Sequence, residues 1–314
     1  MESKSDVILA TSSYDFDIKI WHAYSGICAR TFAHPDSQVN ALAISPDRFL
    51  LGAASYQHVR MYDVNSSTPN HLISYDGISK NVTALGFQKE GKWMYTGGED
   101  CTAKIWDIRS RCLIVGRIFQ ISSPVLCASL HPNQAQLYIG DQSGVIHIWD
   151  VKTEHNEQLI PEVGASIQHL DISADGKHLA AVTNKGTAYI WRLPGGGGDM
   201  SRTKQIIPVH KMQAHNTYAL KVKFSPDCQY LLTTSADKTA CVWRTVDFSL
   251  VHTLAEQQQK WVWDAAFSAD SQYVFTGSSD YVARLWSLKT GTIKRRYQGH
   301  RKAITALAFK DRLP

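Results

Sequence analysis

With 314 residues, 44% apolar and 19% charged, the chain can bury a core of one or two domains. No run approaches the roughly 18 apolar residues of a membrane helix, and the opening MESKSDVILATSS lacks the basic-then-apolar order of a secretory leader, so a cytoplasmic protein without membrane insertion is expected. The formal charge of +5 comes from 33 basic and 28 acidic side chains that read as single residues on alternating strands, a pattern that argues against nucleic acid.

In chain order, the first recognisable elements are VILATSSYD and IKIW, two β-rich runs meeting at Trp21. An alternating strand that ends in a polar turn then recurs: VNALAISPD, VTALGFQKEG, VLCASLHPN, IQHLDISADG, ALKVKFSPD, WDAAFSADS and AITALAFKD. Its last apolar residues are Ile44, Phe87, Leu130, Ile172, Phe224, Phe267 and Phe309, at steps of 43, 43, 42, 52, 43 and 42. A strand ending in an aromatic keeps the same beat, at Trp21, Tyr62, Trp106, Trp149, Trp191, Trp243 and Trp286. One β-rich run lies between the two motifs and another follows the aromatic. Each unit is therefore four short strands, and seven units predict an all-β, seven-bladed propeller of the WD-repeat kind spanning residues 1–314. The N-terminal unit lacks its innermost strand, while AITALAF is such a strand without a unit. Joined, the two make one blade, with the C-terminal strand pairing beside the N-terminal one and closing the ring.

The single long step coincides with RLPGGGGDMSRTK. No strand-loop-helix context with Lys-Ser/Thr surrounds these glycines, so they predict a hairpin insertion on blade five, at about 194–205, and not a phosphate loop.

Asp15, Asp100, Asp237 and Asp280 each stand six residues before a repeat Trp, and His215 and His300 stand nine before Phe224 and Phe309. A buried indole N–H needs an acceptor. Ser two residues before the Asp can supply it, His can bridge, and Asp can fix the His tautomer. In WD repeats these four types form a hydrogen-bonded tetrad, which predicts two sets: His215, Ser235, Asp237 and Trp243, and, across the closure, His300, Ser13, Asp15 and Trp21. Recurrence by blade, with Trp as companion, argues against a Ser-His-Asp catalytic triad. His34 is one residue out of register and its blade has Tyr56 and Tyr62 in place of Asp and Trp, so the tetrad role of His34 is expected to be lost.

Other chemistry is thin. Six scattered cysteines (Cys28, Cys101, Cys112, Cys127, Cys228, Cys241) suit reduced thiols packed in strands. Thirteen His residues include neither HExxH nor a close Cys/His cluster, and no Walker loop is present, so no metal or cofactor is expected. Function then falls to a surface. Four residues before each inner-strand landmark stand Asn40, Thr83, Leu126, Gln168, Leu220, Trp263 and Thr305, and six before stand Gln38, Asn81, Pro124, Ser166, Tyr218, Trp261 and Ala303. Residues two apart on a strand share a side. Blades six, seven and two thereby offer an aromatic sector flanked by amides, and partly exposed Trp and Tyr are enriched at interface hot spots.

Several stretches go beyond a generic repeat: DSQVNALAISPD, YQHVRMYDVNS, GKWMYTGGEDCTAKIWDIRSR, LHPNQAQLYIGDQSGVIHIWDVKTEHNEQLIPE and SSDYVARLWSLKTGTIKRRYQGH. They resemble the small propeller subunit of the target-of-rapamycin kinase complexes, from VILAT at residue 7 to AFKD near the C-terminus. The resemblance implies a non-catalytic subunit that docks on a C-lobe insertion of the kinase domain. It implies membership of both the raptor and the rictor complexes, within which the propeller is one copy, and visits to endomembrane or lysosome surfaces through them. The docking face would carry Gln38, Asn40, Tyr218, Trp261 and Trp263. Only blades three and four keep Trp followed by Asp (Trp106-Asp107, Trp149-Asp150), a departure the fold tolerates. The rival reading is a peptide-reading adaptor of a ubiquitin ligase or chromatin complex, whose usual acidic cages or arginine clusters this ring lacks. A propeller enzyme would need convergent ionisable groups on the ring.

Overall fold

A computed structural model describes residues 7–66, 68–110, 112–194 and 205–311, with the side chains of 112–116 left aside. Within them, 28 strands form seven four-stranded antiparallel sheets, the blades of a β-propeller. Blade two is Ala41–Ile44, Leu50–Ala54, Val59–Asp63 and Ile73–Tyr75, inner strand to outer, and blades three to six repeat the order. Blade seven is Val262–Phe267, Tyr273–Ser278, Val282–Ser287 and Thr292–Gln298. The bulk of the proposed 194–205 insertion, and the Cys112 thiol, lie outside what is described.

Blade one is made from both ends of the chain. Ile304–Lys310 pairs antiparallel with Ile8–Ser13, setting Leu9 opposite Phe309 and Thr11 opposite Leu307. Asp17–Trp21 and Cys28–Ala33 complete it. The seam is cemented by apolar packing: Leu9 and Trp21 of blade one are buried with Phe275, Ala283 and Tyr297 of blade seven, and the Tyr297 hydroxyl donates to the Ala23 carbonyl (2.6 Å). Burying an aromatic or aliphatic side chain of this kind contributes about 1.5–3 kcal/mol, so closure is held by packing as well as by the strand ladder.

Two glycines show how closely neighbouring blades approach. A Cβ on Gly97 would meet Val125 Cγ1 at 2.6 Å, and one on Gly140 would meet Ile167 Cγ2 at 2.5 Å. Each belongs to a second strand against which the next blade's first inward Val or Ile packs, a position where only glycine leaves room.

The entry to each inner strand carries a feature that alternation alone does not foretell. In six blades the pairing of the first two strands shifts register, leaving Thr83, Leu126, Gln168, Leu220, Trp263 and Thr305 as the extra residue of a β-bulge. These are the residues four before the landmarks. A bulge bends the strand and re-aims the extra side chain, yet residues two apart still meet here: Gln38 donates to Asn40, Gln168 donates to Ser166, and Trp261 packs on Trp263.

Candidate functional site

The two tetrads form, with one member exchanged. In blade one the Trp21 indole N–H donates to Thr11 Oγ1 (2.7 Å), Thr11 bonds His300 Nε2 (2.8 Å), and His300 Nδ1 bonds Asp15 Oδ2 (3.0 Å). Blade six repeats this with Trp243 to Thr233 (3.0 Å), Thr233 to His215 (2.8 Å) and His215 to Asp237 (2.9 Å). Carboxylates only accept, which places the imidazole proton on Nδ1 and leaves Nε2 to accept from the threonine hydroxyl. The predicted Ser13 and Ser235 are not the indole acceptors. Leu9 lies opposite Trp21 and Thr11 opposite Lys19, so the indole reaches its diagonal neighbour; Ser13, one pleat further along, is roughly 7 Å beyond that reach. Ser13 Oγ instead accepts from the Asp15 amide and donates to the Lys302 carbonyl, and Ser235 Oγ accepts from the Asp237 amide. The sequence signal was present, because Thr11, Thr96, Thr233 and Thr276 all stand ten residues before their Trp and all accept its N–H.

Burial raises the Asp15 and Asp237 carboxyls, but the His300 and His215 hydrogen bonds, with nearby amides, outweigh it and hold both well below the usual carboxylate range. Blades three and seven have no histidine at this place. Lys104 and Arg284 from the third strand pair with Asp100 and Asp280 instead.

Blade two has no such tetrad, though His34 keeps one bond. It is fully buried and its Nδ1 bonds the Tyr62 hydroxyl at 2.7 Å, so Tyr62 stands directly where other blades place threonine and indole. With no aspartate behind it, His34 Nε2 has no partner, and burial assisted by the Arg60 and His58 charges lowers its pKa to about 3.

These networks fix one face of the disc, where second-to-third-strand turns meet the loops entering the inner strands. The Trp261 carbonyl accepts from the Ser279 amide (2.9 Å), that of Tyr218 from Ala236 (3.0 Å), and that of Ala303 from Tyr14 (3.0 Å). Backbone at the ring is thus clamped while side chains point outward. Tyr218 is 51% and Trp261 43% exposed. Trp263 is half-buried against Trp261, ring centroids 5.6 Å apart, with its indole donating to Ser279 Oγ (2.7 Å). Gln38 donates to Asn40 Oδ1, and Asn40 donates to the Val82 carbonyl of blade three (3.0 Å). Thr83 and Thr305 make the same blade-to-blade bond, to Val125 and Val39. Asn40 is therefore a strap of the ring that orients Gln38.

Exposed aromatics also stand in the turns of blades one, two and seven: Phe16 and Tyr281, which the sequence did not single out, and Tyr56, noted above only as the replacement for the turn aspartate. Asp15 and Asp280 accept from the amides two residues on, and the intervening Phe16 and Tyr281 adopt φ of 65° and 73°. An aromatic held in the left-handed region at a surface turn costs about 1 kcal/mol or more. The signal was an aromatic directly after the turn aspartate. Blades six, seven, one and two are consecutive around the ring and share this aromatic arc, whereas blades three to five present Asn81, Glu99, Ser143, Ser166 and Lys185 in corresponding loops.

The central channel offers a 260 Å³ cavity whose charges cancel pairwise, Lys221 with Asp264 (3.0 Å) and Lys223 with Asp171 (2.9 Å). His169, beside them, is kept neutral by burial and the two lysines. Among the described residues no group of three or more His, Cys, Asp or Glu is placed to hold a metal ion, and no helix is long and apolar enough to cross a membrane.

The WD domain, G-beta repeat family matches residues 26–63, 69–107, 115–150, 206–244 and 248–287. The unmatched stretch 151–205 nonetheless contains the first three strands of blade five. The chain is 58% identical over 312 residues to the target of rapamycin complex subunit LST8 of Mus musculus, covering 97% of this chain and 95% of that protein. It is 51% identical over 314 residues to the LST8 homolog of Drosophila melanogaster, covering 100% and 99%. To the target of rapamycin complex subunit LST8 of Saccharomyces cerevisiae it is 43% identical over 306 residues, covering 97% and 99%.

Proposed function

Because the chain belongs to the WD-repeat family, and within it to the LST8 subunits of target of rapamycin complexes, we propose that it is the non-catalytic propeller docked on the kinase domain in those complexes. The observation that supports this is the arc of exposed aromatics on a ring whose backbone is already clamped. Rigid aromatic anchors lose little conformational freedom on binding and gain about 1.5–3 kcal/mol each when buried. Tyr218 and Trp261 are the principal contacts, Trp263 supports Trp261, and Gln38 supplies an amide held in place by Asn40. Phe16, Tyr56 and Tyr281 extend the arc.

On this reading the propeller binds a C-lobe insertion beside the catalytic cleft, serves both the raptor and the rictor assemblies, and works in the cytoplasm, reaching endomembranes with the kinase. It favours the competent kinase conformation to the extent that it binds that state more tightly. Substituting Trp261→Ala together with Tyr218→Ala should weaken capture of the isolated kinase domain at least about 100-fold, with circular dichroism and melting unchanged, in keeping with hot-spot truncations of 2–4 kcal/mol. Undiminished capture by the folded double variant rejects the face.

A further inference from the structure

The expectation that basic residues are scattered singly fails at one place. The segment KTGTIKRRYQGHRK, residues 289–302, holds Lys289, Lys294, Arg295, Arg296, Arg301 and Lys302 and no acid. Remove those six from the chain's 33 basic residues and the remaining 27 fall one short of its 28 acidic ones. The positive balance of the protein therefore resides in this segment.

The fold lays the segment along one edge. Thr292–Gln298 is the outermost strand of blade seven, Lys289 lies in the turn before it, and Arg301 and Lys302 lie in the loop that follows, at the corner with blade one. Seven strand residues span about 23 Å, so the cations run the height of the rim. Lys289, Lys294, Arg296, Arg301 and Lys302 are exposed. The nearby acids are engaged elsewhere: Glu256 with Arg284 and Arg296, Asp280 with Arg284, and Asp15 with His300. Arg296 is thus compensated, and among the described residues the others have no ion pair. At the top the stripe joins the aromatic arc, where Lys302 Nζ lies 5.8 Å from the centre of the Phe16 ring.

We propose that this stripe is a second docking surface, for an acidic, extended segment of a protein partner that crosses the blade-seven/blade-one corner and descends the rim. Charge complementarity selects the sign of the occupant. A row of cations about one strand wide on a convex edge matches a polypeptide better than a flat bilayer, which would meet it along a line. An edge strand is also an aggregation hazard that lysines blunt, but that purpose needs one or two charges and accounts for neither Arg301 nor Lys302, which lie beyond the strand. The inference stands apart from the kinase-docking reading, since it concerns different side chains.

The test uses the full chain and a fluorescein-labelled ten-residue peptide of alternating Glu and Ser, with the Lys-Ser peptide as control, followed by fluorescence anisotropy. The Glu-Ser peptide should bind and the control should not, with Kd rising at least about 10-fold between 50 and 300 mM NaCl as surface charges are screened. The triple variant Lys294→Glu, Arg301→Glu, Lys302→Glu should lose at least about 10-fold in affinity for the peptide. Carbodiimide cross-linking of the peptide to the unmodified protein, mapped by mass spectrometry, should concentrate on Lys289, Lys294 and Lys302 and does not depend on the variant folding. Equal affinity in the folded variant, cross-links spread over lysines elsewhere, or capture of phosphatidylserine vesicles or a single-stranded oligonucleotide in place of the peptide overturns the proposal.

Discussion

Blades one and two place a histidine at nearly the same point of the fold and use it in opposite ways. In blade one, His300 is saturated, with Thr11 on one nitrogen and Asp15 on the other, and Trp21 completing the line. In blade two, His34 has Tyr62 on one nitrogen and nothing on the other, and neighbouring His58 also leaves Nε2 without a partner. A nearby acid, Asp36, pairs with Arg60 instead. A buried polar group is a strut when every atom is matched and a weak point when one is not. The closure blade, assembled from residues some 285 apart in the chain, carries the matched set.

The comparison breaks most sharply at Thr11. Thr11→Val keeps the shape but strips the acceptor from the Trp21 indole and the donor from His300 Nε2, both buried. Each orphaned group costs about 1–3 kcal/mol, so urea unfolding should show a loss of about 3 kcal/mol. Ser13→Ala, which touches only the Asp15 amide and the Lys302 carbonyl, should cost less than about 1 kcal/mol. Equal losses for the two substitutions would restore the serine to the tetrad.

Acid should sharpen it next. His34 is held at about 3, below its ordinary 6.5, chiefly by burial, so between those values the unfolded chain binds a proton that the folded one refuses. Stability from this group is complete above pH 6.5 and falls as pH drops toward 3. At 1.36 kcal/mol per unit the contribution at pH 5 is about 2 kcal/mol below that at pH 8. In blade one the sign also runs toward acid loss but starts lower, since the depressed Asp15 forfeits stability only below its ordinary 3.8. Urea midpoints at pH 8, 6.5 and 5 should therefore flatten by about 2 kcal/mol in His34→Gln relative to the parent chain. An unchanged slope would mean that His34 takes up its proton in the folded state near the ordinary value.

The difference between these blades marks what the sequence made legible. Spacing between landmarks such as Ile44 and Phe87 was enough for the blade count, and the incomplete unit at Trp21 was enough for the closure, because strand periodicity survives in any one-dimensional reading. Trp261 and Tyr218 were legible because their register positions were, although the bulge at Trp263 was not: a register shift depends on how two strands pair. Thr11 went unseen in favour of Ser13 because choosing between them requires the diagonal geometry of a formed ladder. Phe16 and Tyr281 were hidden in the turns, where exposure follows from a positive φ that an aspartate imposes on its successor.

A smaller effect than at Thr11 or His34 is expected at Tyr62, where the comparison can be tested without disturbing the core. Tyr62→Phe leaves the ring packed against Phe32, whose centroid is 5.2 Å away, and removes only the hydroxyl, which His34 Nδ1 shares at 2.7 Å and which makes a longer bond to the Ala33 carbonyl (3.3 Å). Removing one hydrogen bond from a histidine that already lacks its other partner should cost about 1 kcal/mol in urea unfolding, roughly a third of the Thr11→Val loss. The reason lies in coupling: Thr11 joins two buried side chains in series through short bonds, so one substitution strands both, whereas Tyr62 makes one short bond to His34 and a long one to the Ala33 carbonyl. A Tyr62→Phe loss as large as that of Thr11→Val would show that blade two is as tightly networked as the closure, through partners that His34 does not reveal.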